Sequence, residues 1–312
     1  MRKSIIASTQ ALVLALVLAL VSAATAQAQG LTKIAENVYA YAGVKDASPK
    51  NSYAANAGIV VGTDGVLVID TLTSAKEGQR LLKDIRAVTK KPIKYVVTTH
   101  GHFDHAFGSC VFTDLGATLA GHELDRETLA KKGEALLKKP EAVGLTPADL
   151  KGTRIVLPSL TFTERLTIRL GGETIELIHL TPSHSPGSTL VYLPKQKVLF
   201  AGDVLFTDFH PFLGEGDIPG WVKTLDFIQD LDVTSIVPGH GPLSTKKDVA
   251  EMRDYLLLFD AKAKELAAAV TTSGPKDAAA LAAEMKKLLP ARTQGEAMIL
   301  YNIMTKYLPT KH

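Results

Sequence analysis

"VVTTHGHFDHAFG" (Val96–Gly108) places His100, His102, Asp104 and His105 within six residues, directly after a β-branched apolar run. The run, "PIKYVVTT", reads as a buried strand, and Gly101 opens the turn that follows it. Four good metal ligands on one short turn ask where the remaining ligands are. Three other strand-like runs end the same way: "IELIHLTPS" leads to His184, "KVLFAG" to Asp203 and "TSIVPG" to His240. In layered α/β folds, sites gather at the carboxyl ends of strands. The Gly and Pro residues of these turns, among them Pro182, Gly202, Pro238 and Gly239, let backbones turn tightly toward a common centre. Five imidazoles and two carboxylates suit two metal ions with a shared carboxylate. A closed structural site would use four ligands, usually with Cys, and the chain has one cysteine, Cys110. Imidazole with hard carboxylate favours Zn²⁺, with Fe²⁺ or Mn²⁺ also compatible. The bland alternative, a solvated turn with chance histidines, leaves the matching strand ends unexplained.

Around these turns the chain reads as hairpin, helix, strand and turn, twice. "AGIVVGTDGVLVIDT" is a hairpin about Gly62–Gly65, and "SAKEGQRLLKDIRAVT" sets Leu81, Leu82, Ile85 and Val88 at helical spacing. "LTIRLGGETIELIHL" and "STLVYLPKQKVLFAGD" are two more hairpins; "GWVKTLDFIQDL" is a helix with Trp221, Leu225 and Ile228 on one face. The expectation is α/β: two similar halves, each a sheet with helices outside, packed face to face. Residues 31–312 read as a single domain, with a core over 34–244 and a helical segment over 245–312 covering its outside.

Residues 1–28 read as a cleaved secretory signal. Arg2 and Lys3 precede an apolar run from Ala11 to Val21, and A-x-A sites end at Ala26 and Ala28. An uncleaved anchor needs a span of ~20 apolar residues, and this run is short. The expectation is a periplasmic or secreted protein with no membrane attachment after cleavage. A formal net charge of +3, which falls further when Arg2 and Lys3 leave, and the lack of any basic run among aromatics argue against a nucleic-acid partner. A small-molecule substrate is expected; nothing in the sequence sets the oligomeric state.

"THGHFDH" resembles the H-x-H-x-D-H signature of the metallo-β-lactamase superfamily. "LVID", "TPSHSPGS", "FAGD" and "VPGHG" are similar to its other blocks and occur in the expected order. The resemblance implies a four-layer αββα sandwich with C-terminal covering helices. By position it implies that His100, His102 and His184 hold one zinc ion, that Asp104, His105 and His240 hold a second, and that Asp203 bridges them. Asp70 would brace the ligand turn, although a turn or cap carboxylate reads equally well there. Asp104 would orient the attacking water and carry its proton. The implied activity is hydrolysis of an acyl bond in an ester, thioester, lactone or amide.

Departures from the family's branches narrow this reading. Asp203 stands where the best-known antibiotic-hydrolysing members carry Cys or Ser. "GDVLF" is similar to a block of glyoxalase II, but that enzyme's Gly-rich Arg element is missing. Phe206 replaces the Tyr of homoserine-lactone lactonases. The closest look is to secreted bacterial zinc metallohydrolases associated with sulfur oxidation and quinoprotein systems. Two other activities stay open: a β-lactamase, and an iron-dependent oxidoreductase acting on sulfur compounds. His210, in the Pro/Gly-rich loop Phe209–Asp217, is a candidate catalytic or substrate-facing residue. His122 and His179 read as histidines without a role, and Cys110 as a small buried residue.

Overall fold

Short extended runs dominate the first half of the chain. β1 (Thr32–Ala35) and β2 (Val38–Tyr41) form an edge hairpin, and β3 (Ala57–Val61) and β4 (Val66–Ile69) form the hairpin expected about Gly62–Gly65. Helix α1 (Ala75–Val88) starts where the Ser74 side chain accepts the Glu77 N–H, and it buries Leu81 and Ile85. β5 (Ile93–Val97) leads into the histidine turn and two short helices, α2 (Phe103–Ala106) and α3 (Ser109–Thr113). β6 (Thr118–His122) follows, then α4 (Glu123–Thr128) and α5 (Glu134–Lys138), then β7 (Leu160–Phe162). The strands pair in sequence order, antiparallel from β1 to β4 and parallel from β4 to β7.

A second sheet follows in the order β12-β11-β10-β9-β8. It comprises β8 (Arg165–Leu170), β9 (Glu173–Ile178), β10 (Leu190–Leu193), β11 (Val198–Phe206) and β12 (Ser235–His240). Helix α6 (Ile218–Asp230) crosses between the parallel pair β11 and β12. Then come α7 (Lys246–Ala268), α8 (Pro275–Leu288) and α9 (Ala297–Asn302), the last running into a π-helical turn over Ile303–Tyr307.

Strand alternation sorts the core into three layers. Val60, Leu67, Ile69 and Val97 face inward and meet Ile175, Leu177, Val191 and Phe200 of the second sheet. Their neighbours Ile59, Val66, Val68 and Val96 face outward onto Leu81, Ile85 and Phe112. The far face of the second sheet carries Leu190, Leu199 and Ile236, which pack under Trp221, Leu225, Met252 and Tyr255. A period of two assigns successive residues to opposite faces, and helices cover both outer faces. β4 and β11 are therefore buried along their whole length. This is the αββα sandwich.

The computed structural model describes residues 30–269 and 275–308, and Leu31–His312 forms one compact unit. The signal read over residues 1–28 lies outside the described residues. Among the described residues no helix is long and apolar enough to cross a membrane.

Two differences from the sequence reading bear on the site. β11 does not stop at Gly202 but runs on to Phe206, with register breaks between Phe200 and Gly202 and again before Phe206. Asp203 therefore sits inside an irregular strand rather than beyond its end. The C-terminal helices do cover the second sheet, but α9 also reaches the loop Phe209–Asp217.

Candidate metal centre

The seven metal-ligand candidates converge in one cleft and fall into two groups. His100, His102, His184 and Asp203 form one; Asp104, His105 and His240 form the other. Within each group, one ligand atom per residue lies within 4.8 Å of the rest. Asp203 faces both. Its Oδ2 is 3.7 Å from His100 Nε2 and 3.3 Å from His184 Nε2. Its Oδ1 is 3.1 Å from His105 Nε2 and 3.4 Å from His240 Nε2. In the second group, Asp104 Oδ2 lies 3.3 Å from His240 Nε2.

Backbone geometry places these side chains. His102 is extended at the start of α2, whereas Asp104 and His105 lie in its single turn, so neighbours in sequence point in different directions. Gly202 is left-handed at φ 50°, which kinks β11 beside Thr99 and swings Asp203 into the cleft. Gly239 is needed for a different reason: a Cβ built there would lie 1.9 Å from Asp203 Oδ1.

Most of the imidazoles are held from behind, which fixes which nitrogen faces the cleft. His105 Nδ1 lies 2.8 Å from Asp70 Oδ2, His240 Nδ1 3.1 Å from Tyr53 O, and His184 Nδ1 3.2 Å from Phe212 O. Asp70 also accepts from the Thr99 N–H and hydroxyl, at 2.7 and 2.8 Å. It is buried and left-handed at φ 57°, a conformation that Asp tolerates better than most residues. The backbone carbonyl of Tyr53 comes from an unusual run: Ser52, Tyr53 and Ala54 have φ of 54°, 54° and 62°. Asn56 ties this run to the His240 turn, donating to Pro238 O and Gly241 O at 2.8 and 2.9 Å.

His102 is the exception. Its Nδ1 faces the cleft, 2.9 Å from His184 Nε2, and its Nε2 is buried with no hydrogen-bond partner. The nearest acid is Glu215, whose Oε2 is 3.7 Å away and whose Oε1 accepts from Lys132 Nζ at 2.8 Å. His102 and then Lys132 hold the Glu215 carboxyl down at about 2 against the opposing effect of burial. Sequence reading missed Glu215, Tyr53 and Thr99. An acid between the two glycines of "LGEGD" was the only available signal for the first.

The electrostatics divide the imidazoles. Burial pushes His100 well below the usual imidazole value and His184 down to about 3, so both are neutral donors at neutral pH. Burial would lower His105 and His240 too, but Asp203 and Asp104 outweigh it. His105 is held well above its usual value, with Asp70 contributing, and His240 up to about 9. Asp203 stays ionised despite burial, because His240, His105, His184 and His100 surround it. Buried carboxylates need positive charge beside them, and a divalent cation supplies it as well as protons do. His100 Nε2 and Asp203 Oδ1 are buried without hydrogen-bond partners. Such orphans ordinarily cost about 1–3 kcal/mol each, and both belong to residues of the first group. The donor set fits metal.

His210 is placed elsewhere. Its ring is buried and its Nδ1 meets the Tyr255 hydroxyl on α7 at 2.8 Å, while burial and the Arg292 charge lower its pKa to about 4. The reading of His210 as a substrate-facing or catalytic residue is therefore corrected: it ties the loop to the helices behind it. Leu213 is fully buried, and Phe209 packs 5.1 Å from the His240 ring. The loop residue beside the first group is Phe212, half-buried, with its ring 5.7 Å from His102 and 5.9 Å from His184. His122 caps α4 by accepting the Leu124 N–H and stacks 4.0 Å from His179, away from the ligand groups.

Comparison with known proteins agrees with this geometry. The family model described as the metallo-beta-lactamase superfamily matches residues 52–240, more than half of the chain. The linear primary-alkylsulfatase of Pseudomonas sp. (strain ATCC 19151) is 27% identical over 222 residues, 61% of this chain and 42% of that protein. The metallo-beta-lactamase type 2 of Elizabethkingia meningoseptica is 25% identical over 239 residues, 75% of this chain and 87% of that one. Among solved structures, a metallo-beta-lactamase from Pontibacter korlensis shares the fold with a TM-score of 0.60 at 24% identity, covering 73% of this chain and 98% of its own. The chain spans about half the length of the curated relatives it matches first. Sandwich, ordered histidine and aspartate turns and family match agree, and the chain belongs to the metallo-beta-lactamase superfamily.

Proposed function

We propose that this chain is an exported hydrolase with two zinc ions, cleaving an acyl bond of a small molecule. The observation that carries it is Asp203, whose two oxygens face two separate ligand groups. On this reading His100, His102 and His184 bind one ion, Asp104, His105 and His240 the other, and Asp203 both. Ions bound there would supply Lewis acidity and water acidified from 15.7 to about 7. The chain's own part is orientation and proton handling. Asp70 and the carbonyls of Tyr53 and Phe212 hold His105, His240 and His184 with one nitrogen inward. Asp104 Oδ2, 3.3 Å from His240 Nε2, is positioned to accept a proton from a nucleophilic water. Burial of the cleft strengthens each of these interactions.

Elemental analysis after zinc reloading should give close to two ions per chain, and Asp203→Ala should lose the second ion and most turnover. Saturation at one ion, or an alanine variant with full metal and full activity, removes the binuclear reading; iron as the native metal moves the chemistry toward the oxidoreductase alternative. A panel of ester, thioester, lactone and β-lactam substrates tests the reaction. A β-lactamase is the second reading, favoured by the relative from Elizabethkingia meningoseptica; Asp203 motivates an expectation of weak β-lactam turnover at most. Export rests on Arg2, Lys3 and the Ala11–Val21 run. N-terminal sequencing of the native protein should begin near Gln27 or Gln29, and a cytoplasmic form keeping Met1 would contradict it.

A further inference from the structure

We infer that Leu300, Tyr301 and Met304 form, together with Phe212, a subsite for the apolar body of the substrate, so that the substrate is an acyl compound with an alkyl or aryl chain. This rests on the metal-centre reading above for where the scissile bond lies. The three side chains are exposed at 37, 49 and 44%. Spacings of one, three and four residues put them on one side of α9 and the turn that continues it. Single exposed apolar residues need no explanation, but a contiguous strip marks a contact surface. This strip does not end in solvent. The Tyr301 ring lies 5.6 Å from the Phe212 ring, and Phe212 in turn lies against His102 and His184.

The strip is also held rigidly. Asn302 is fully buried; its Nδ2 donates to Pro211 O at 2.8 Å and its Oδ1 accepts the Leu213 N–H at 2.7 Å. It thus grips the backbone on both sides of Phe212. Lys306 donates to Gly216 O at 2.6 Å and fixes the same loop further on. Ligand pockets are mostly preformed, with apolar walls and few polar groups, and these contacts hold one apolar wall in place. Continuity with the ligating imidazoles selects a small molecule over a second protein chain, because the wall leads to the centre where chemistry is placed.

The test uses zinc-loaded protein and two probe series: straight-chain carboxylates from butanoate to decanoate, titrated calorimetrically, and p-nitrophenyl esters of the same lengths. A one-sided wall buries about half of each methylene, so affinity should rise about twofold per CH₂. In Tyr301→Ser/Met304→Ser that slope should flatten while metal content stays as in the parent. Both residues are exposed, and thermal denaturation checks that the variant folds. A parent whose carboxylate affinity ignores chain length, or a variant that keeps the parent's slope, overturns the subsite. Esters cleaved with the same kcat/KM at every length also overturn it, leaving the hydrolase reading intact. A carboxylate slope without ester cleavage supports the subsite and sinks the hydrolase reading instead. A parent that is dimeric by light scattering, with a monomeric variant, makes the strip an interface between copies and overturns the proposal.

Discussion

Asp203 and Gly239 show how little room the centre leaves at the level of single residues. An alanine Cβ at Gly239 would fall 1.9 Å from Asp203 Oδ1, against strand backbone on either side. Gly239→Ala is expected to displace the carboxylate, lower metal content below the parent's and cost about 1–3 kcal/mol by overpacking; metal analysis and thermal denaturation check it. Asp125 offers a pH prediction outside the ligand set. It is fully buried beneath Gly187, and burial pushes its carboxyl well above the usual range, outweighing the Gly101 backbone N–H that favours the charged form. A carboxyl raised in the folded state contributes stability that is complete below the ordinary carboxylate pKa. That stability is lost as pH rises through the raised value. Asp125→Asn should therefore be more stable than the parent at pH 8 and should show a shallower fall in melting temperature between pH 5 and 8. An identical fall in both proteins would mean that Asp125 does not titrate in this way. The converging histidines and aspartates were legible in the sequence because histidine and aspartate after apolar runs are rare in combination. Asp125, Thr99 and Tyr53 were not, because their roles come from backbone carbonyls, burial and contacts distant in sequence.

Strands and helices followed their patterns where those were long. α1, the hairpins at Gly62–Gly65 and Gly171–Gly172, and α6 all formed where period and turn residues placed them. β1, β2 and β7 went unread. They are three- or four-residue pieces, too short for a period, and pairing with a neighbouring strand stabilises them. In the loop Phe209–Asp217, His210 turns to Tyr255 and Phe212 turns to the imidazoles. Sequence proximity to Asp203 could not separate those directions. Asn302→Ala tests how α9 supports this loop. Removing the side chain leaves the buried Leu213 N–H and Pro211 C=O without partners, at roughly 1–3 kcal/mol for each group. Melting temperature should fall accordingly, and proteolysis within Phe209–Asp217 should accelerate. Unchanged stability would show that water replaces Asn302 without penalty.

At the scale of the whole molecule, the first sheet supplies His100, His102, Asp104 and His105, and the second supplies His184, Asp203 and His240. Metal held by both groups would clamp the two sheets at one end of their shared core. Chelation should then lower thermal stability as well as activity. With free metal at a hundred times its Kd, the linkage is worth about 2.7 kcal/mol, or roughly 5–10 °C in melting temperature. A chelated protein that melts with the parent would place the ligands on a frame that does not need the ion. The doubled plan of the sheets was readable because buried strands alternate with helices at domain scale; how the C-terminal helices meet the site was not, since amphipathic helices carry no record of which loop they touch.

That meeting has an evolutionary consequence. All seven ligand candidates lie between His100 and His240, whereas Leu300, Tyr301, Asn302 and Met304 lie in the last stretch of the chain. On the proposed reading, the reacting centre and one of its walls are encoded in separate segments, joined after Thr245 by a single helix start. A recombination at that junction, or drift confined to the tail, can exchange the wall without touching a ligand. Selectivity in such a protein is modular and can be inherited apart from the chemistry.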